Sequence, residues 1–127
     1  MPSIQFTINR AGSVATNQQK DKHMQIKTNI RVTDWLPQNV PHGYGCGYIG
    51  LPKEHPWYGM DYFSIPANVH GGLTWGDYNL PNQEPDGLYW IGFDTNHLND
   101  DQFNCPKEYV ESQVEALKKQ ALEAIQS

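Results

Sequence analysis

Between residues 69 and 100 the chain sets histidine, aspartate and glycine at spacings that suit hydrolytic or metal chemistry. The run Val69-His70-Gly71-Gly72-Leu73-Thr74-Trp75 carries one imidazole. The run from Trp90 to Asp100 carries a second, His97, between the carboxylates Asp94 and Asp100. In the spacing Asp94-x-x-His97-x-x-Asp100, a helical turn would bring the three side chains to one side. Joined by His70, they would form a mixed nitrogen–oxygen set that suits zinc, manganese or iron with positions left open for water. A divalent metal there would lower the pKa of bound water and supply hydroxide at neutral pH. Without a metal, His70 or His97 oriented by Asp94 could act as a general base. The spacing is of low specificity. Asp94 before Thr95-Asn96 also reads as a side-chain-capped turn, His97 as a loop histidine, and His70 as a core imidazole bonded to backbone.

If Val69–Trp75 and Leu88–Asp94 pair antiparallel, one register sets Thr74 opposite Trp90, Gly72 opposite Gly92 and His70 opposite Asp94. The result is a slot floored by glycine backbone, with a His70–Asp94 pair at one end. Gly71, Gly72, Thr74, Trp75, Trp90, Gly92 and Asn96 would then contact a ligand. A one-residue slip destroys that geometry.

The elements that must hold these groups follow from periodicity. Ile4, Phe6 and Ile8 alternate with polar residues, as do Met24, Ile26, Thr28, Ile30 and Val32, which predicts two half-buried strands separated by a polar loop over 11–23. The pair reads as one long-looped antiparallel unit. Ten of the eleven glycines fall between Gly43 and Gly92. Tyr44, Cys46 and Tyr48 alternate with Gly45 and Gly47, and glycine along one strand face implies close approach by a neighbour. Asp61 to Ile65 reads as a short strand, and Gly76 to Gly87 as turn chemistry. From residue 105 a helix is predicted, capped by Asn104 or Cys105, with Pro106 in its first turn. Its apolar stripe is Val110, Val114, Leu117, Ala121, Ala124 and Ile125. Together these predict one α+β domain over 1–127, a mostly antiparallel sheet with a long C-terminal helix on one face. Within it, 1–35 forms the N-terminal strands, 43–100 the site region and 105–126 the helix.

Composition narrows the chemistry. Residues 40–101 contain Lys53 as their sole lysine or arginine, against eight acidic residues, and no arginine follows Arg31. Phosphate and nucleic acid are gripped by arginine forks and lysine clusters, so direct nucleic-acid binding is not expected. A metal cation, a small neutral molecule or a basic protein surface fits better. Cys46 and Cys105 lie outside any C-x-x-C spacing, which argues against a zinc ribbon and for two buried free thiols. Neither a secretory signal nor a run of about 20 apolar residues is evident, so the expectation is a cytoplasmic protein without a membrane anchor. His55, beside Pro56 and Trp57, reads as packing. The aromatics Trp57, Tyr58, Tyr62, Trp75, Tyr78, Tyr89 and Trp90 exceed the needs of a small core, and some suit a groove or an interface.

Several of these runs taken together carry a resemblance. Gly47-Tyr48-Ile49-Gly50-Leu51-Pro52, His55-Pro56, Asp61-Tyr62, Val69-His70-Gly71-Gly72-Leu73-Thr74 and Trp90-Ile91-Gly92-Phe93-Asp94-Thr95-Asn96-His97 resemble a pattern in small proteins of bacteriophages and prophages. The likeness spans roughly residues 43–125 and leaves out the N-terminal strands. It implies a setting, the cytoplasm of an infected bacterium, and no particular reaction. Two functions are therefore carried forward. One is a pocket that binds or hydrolyses a small molecule, with a divalent metal as its possible cofactor. The other is an inhibitor that docks on a host enzyme or defence protein through acidic and aromatic surface.

Overall fold

The computed structural model describes residues 25–37 and 39–126. The strand expected at Ile4–Ile8, its pairing and the loop at 11–23 lie outside them. Strands β1 (Lys27–Val32), β2 (Gly45–Leu51), β3 (Trp75–Asp77) and β4 (Tyr89–Phe93) form one antiparallel sheet in the order β1-β2-β4-β3. Helix α1 (Lys107–Ile125) packs on it, giving the α+β arrangement expected. Among the described residues, no helix is long and apolar enough to cross a membrane.

Alternation decides which sheet face the helix covers. Ile49 and Leu51 of β2 and Ile91 and Phe93 of β4 are buried with Val110, Val114, Leu117 and Ala121 of α1. Each large side chain buried this way contributes about 1.5–3 kcal/mol. The glycines of β2 make the contact possible. A Cβ on Gly47 would collide with Val114 and the Phe93 ring, so the helix lies as close as it does because no side chain stands there. On the opposite face, aromatic rings occupy the space above glycine: Trp90 over Gly50 and Tyr48 over Gly92. Trp75 meets Tyr48 edge to face at 5.4 Å.

Three local expectations are corrected. Gly71 and Gly72 both have positive φ, +68° and +79°, and the Gly72 N–H donates to the Val69 carbonyl at 2.8 Å. Glycine adopts this conformation without a Cβ penalty, so the chain turns here and β3 begins only at Trp75. The register is accordingly displaced by three residues: Trp75, not Gly72, faces Gly92. Asp61–Ile65 forms a single 3-10 turn at Tyr62–Ser64 instead of a strand. Helix α1 starts at Lys107 with Pro106 in the cap position and no side-chain cap, because Asn104 is engaged with Asp101 and Asn99 instead.

Both thiols are buried and free. His55 is 3% exposed and satisfied on both ring nitrogens: Nε2–H donates to the Ala121 carbonyl at 2.8 Å, and Nδ1 accepts from the Trp57 N–H at 2.9 Å. That pairing requires the neutral ring, and burial lowers its pKa from the usual 6.5, against the opposing pull of the Ala121 carbonyl. The unfolded chain therefore binds the proton first. Stability from this group is complete above about pH 6.5 and falls as pH drops through that value toward the lower folded one. Denaturant titrations between pH 7.5 and 5 should show this loss, and His55→Asn should be less stable at pH 7.5 but shallower in its pH dependence. In the core, Gly47→Ala should cost about 1–3 kcal/mol by overpacking, seen as a lower urea midpoint at unchanged slope.

Candidate metal centre

The site is assembled by two loops and the first turns of α1. The first loop, residues 68–72, is fastened to the helix by polar side chains flanking its apolar stripe. Gln113 Oε1 accepts from the His70 N–H at 2.8 Å, and Gln120 clamps Asn68 from both sides, accepting from its N–H at 2.7 Å and donating to its carbonyl at 2.8 Å. The Tyr109 hydroxyl lies 2.8 Å from His70 Nδ1, with the rings edge to face. Tyr109 and Gln113 are four residues apart and so share one side of the helix.

The second loop, residues 94–105, folds back on itself around Asp100. The Asp100 N–H donates to the His97 carbonyl at 2.9 Å, and Asn99 before it adopts φ +76°. The Asp100 carboxylate, 7% exposed as a residue, accepts from the His97 backbone N–H (3.0 Å) and from His97 Nδ1 (3.0 Å). It also accepts from His70 Nε2 at 3.1 Å to each oxygen. The Cys105 thiol adds a weak contact at 3.6 Å. Burial alone would raise the Asp100 pKa, but the donors from His70 and His97 outweigh it and hold the carboxyl below its ordinary value. Burial next to that carboxylate pushes the Cys105 thiol up to about 11, so at neutral pH it is a thiol and not a thiolate nucleophile.

An ionised carboxylate only accepts, so the ring nitrogens that face Asp100 carry protons, and the neutral rings have the following tautomers. His70 carries its proton on Nε2 and receives the Tyr109 hydroxyl at Nδ1. His97 carries a proton on Nδ1, and its Nε2 faces Asp94 Oδ1 at 3.6 Å. Asp94 is itself held by the Thr74 hydroxyl at 3.0 Å and the Asn96 N–H at 3.0 Å. The side-chain-capped turn expected at Asp94 is thus present, and the same carboxylate borders the histidine cluster.

The expected Asp94-x-x-His97-x-x-Asp100 convergence with His70 is realised in large part. His70, His97 and Asp100 each offer a ligand atom within 4.8 Å of the others. Asp94 stands outside that set, at the far nitrogen of His97. The expected His70–Asp94 pair over a glycine floor is not formed, because the turn at Gly71-Gly72 directs His70 to Asp100 and because Tyr48 covers Gly92. Gly71 does lie against the site: a Cβ there would collide with the His97 ring. Gly72 faces open space. Trp90 is turned to Asp86, to which its indole N–H donates at 3.1 Å, and Trp75 is engaged with Tyr48, so neither borders the cluster through these contacts. Asn96 accepts from the Thr33 hydroxyl at 3.3 Å. Tyr109, Cys105 and Gln113 went unnoticed in the sequence as site residues. The one available signal was the Tyr109/Gln113 spacing beside the apolar stripe.

No protein-family model matches this chain, and neither the curated proteins nor the solved structures contain a match to it.

Replacing Asp100 by Asn should separate its charge from its shape. The amide oxygen cannot serve all these donors, and its NH₂ group opposes some of them. A stability loss of about 1–3 kcal/mol is expected from the unsatisfied groups, measured by urea unfolding at pH 7, with faster amide exchange at His97.

Proposed function

We propose that this protein binds a divalent transition metal of the zinc class through His70, His97 and Asp100, and uses it to bind or hydrolyse a small molecule. The observation that carries this reading is the convergence of two imidazoles and one carboxylate within 4.8 Å. A tetrahedral zinc with bonds of about 2.0–2.1 Å separates its ligand atoms by roughly 3.3 Å. Asp100 lies 3.0–3.1 Å from a nitrogen of each histidine, close to that separation, and all three ligand atoms fall within 4.8 Å of one another. Two nitrogens and one oxygen suit zinc, iron or manganese better than calcium or magnesium. Three protein ligands leave a position for water or substrate. Asp94, 3.6 Å from His97 Nε2, is placed to orient that ring from behind, as carboxylates commonly do for metal-bound histidines. The lack of basic residues through 40–101, apart from Lys53, favours a neutral or cationic substrate over a phosphate ester.

Zinc added to metal-free protein should raise its melting temperature, by an amount set by concentration and affinity, and EDTA should reverse the rise. His97→Ala should melt lower without metal, because Asp100 loses one of its donors, and should show no further shift when zinc is added. Zinc that gives no shift and no heat in titration calorimetry would remove this reading.

A second reading rests on the surface beside the cluster. Leu98 and Phe103 are 91% and 93% exposed on the same loop. Apolar anchors in acidic surroundings suit docking on a basic protein surface. In the phage setting that the motifs resemble, that surface would belong to a host enzyme or defence protein. Replacing both residues by serine would weaken such docking and leave zinc binding unchanged.

A further inference from the structure

The metal-free network and a metal-loaded one demand opposite tautomers of His70. In the empty site Nε2 carries the proton and donates to Asp100 at 3.1 Å, and Nδ1 is a bare acceptor. A metal can bind only the Nε2 lone pair, because that is the atom aimed at Asp100 and His97. The ring proton must then sit on Nδ1, and there it needs an acceptor. Among the described residues, the hydrogen-bond partner of Nδ1 is the Tyr109 hydroxyl at 2.8 Å. A hydroxyl can donate or accept by rotating about its C–O bond, which an amide, an ammonium or a carboxylate cannot do at one position. The backbone of His70 is pinned by Gln113 and the ring is braced edge to face against Tyr109 at 5.3 Å, so the imidazole need not move for the exchange.

We propose that Tyr109 is the positioning residue of this centre, its phenol donating to His70 Nδ1 when the site is empty and accepting from it when a metal occupies Nε2. The inference rests on the metal-binding reading above. For the neutral ring the protons balance: Nε2 gives up one to solvent and Nδ1 gains one from solvent. Tyr109 remains a phenol throughout, and only its O–H direction changes. Helix α1 thereby takes part in metal binding through its first turn as well as in core packing.

Long-range proton–nitrogen NMR correlations on the His70 ring, assigned by their loss in His70→Gln, test this directly. The empty wild-type protein should show the Nε2–H pattern, and the protein saturated with zinc the Nδ1–H pattern. Competition with a chromogenic chelator should show zinc bound about 10–100-fold more weakly by Tyr109→Phe, the range typical of lost outer partners. If the wild type binds zinc but His70 keeps its Nε2–H, or if Tyr109→Phe binds zinc as tightly, the role given to Tyr109 is wrong and the metal site stands. If the wild type binds no zinc, the metal reading itself fails and takes this inference with it. Should Tyr109→Phe not fold, the wild-type spectra alone decide.

Discussion

A single carboxylate, Asp100, organises the histidine cluster of this molecule. It is almost removed from solvent, so its charge is tolerable only because donors surround it. Those donors come from two loops: the backbone and ring of His97, the ring of His70, and the Cys105 thiol at the threshold of α1. Bonds to an ionised acceptor are the strong ones, about 1.5–3 kcal/mol each, and here they link segments that no regular secondary structure joins. The positive φ at Asn99 is part of the same arrangement. Asparagine tolerates that conformation better than most residues, and it leads the chain into the turn from which Asp100 points inward.

The same network sets the terms on which a metal could enter. The His70 and His97 nitrogens that face Asp100 are already hydrogen-bonded to it, so an ion would have to displace those bonds. At about 1.5–3 kcal/mol each, those displaced bonds amount to several kcal/mol that binding of an ion would have to offset. The outer ring nitrogens, which would then carry the protons, face Tyr109 on one ring and Asp94 on the other. The hydrogen-bond pattern would therefore be self-consistent with or without an ion at the cluster.

Much of this was legible in the sequence where one interaction dominates locally. The stripe from Val110 to Ala121 reports burial directly, and the glycines of β2 report the close approach of the helix. The Asp94, His97 and Asp100 spacing reports a tight turn. The register of β3 was not legible. Pattern alone reads Val69–Trp75 as a strand, because glycine in an alternating run hides whether φ is negative or positive. The turn at Gly71-Gly72 shortened that strand and exchanged Asp94 for Asp100 as the partner of His70. The roles of Gln113 and Gln120 were hidden for a different reason. Glutamine on a helix flank ordinarily faces water, and only the placement of the 68–72 loop turns these two into backbone clamps.

Those clamps explain why site and core cannot vary independently. His70 is not held by the sheet. Its N–H, its Nδ1 and the neighbouring Asn68 backbone are all bonded to α1. The position of α1 is set in turn by contact with Gly47 and Phe93, where there is no room for an added methyl group. On the other side, His97 and Asp100 belong to a loop tied to the start of β2 through Gly43, Tyr44 and Gly45, which bond to Thr95 and Cys105. The two halves of the centre thus ride on different elements, one on the helix and one on the sheet. Their separation is decided by how closely helix and sheet pack. Packing density in the core therefore becomes a determinant of ligand geometry, because tenths of an ångström between helix and sheet are also tenths of an ångström between His70 and His97.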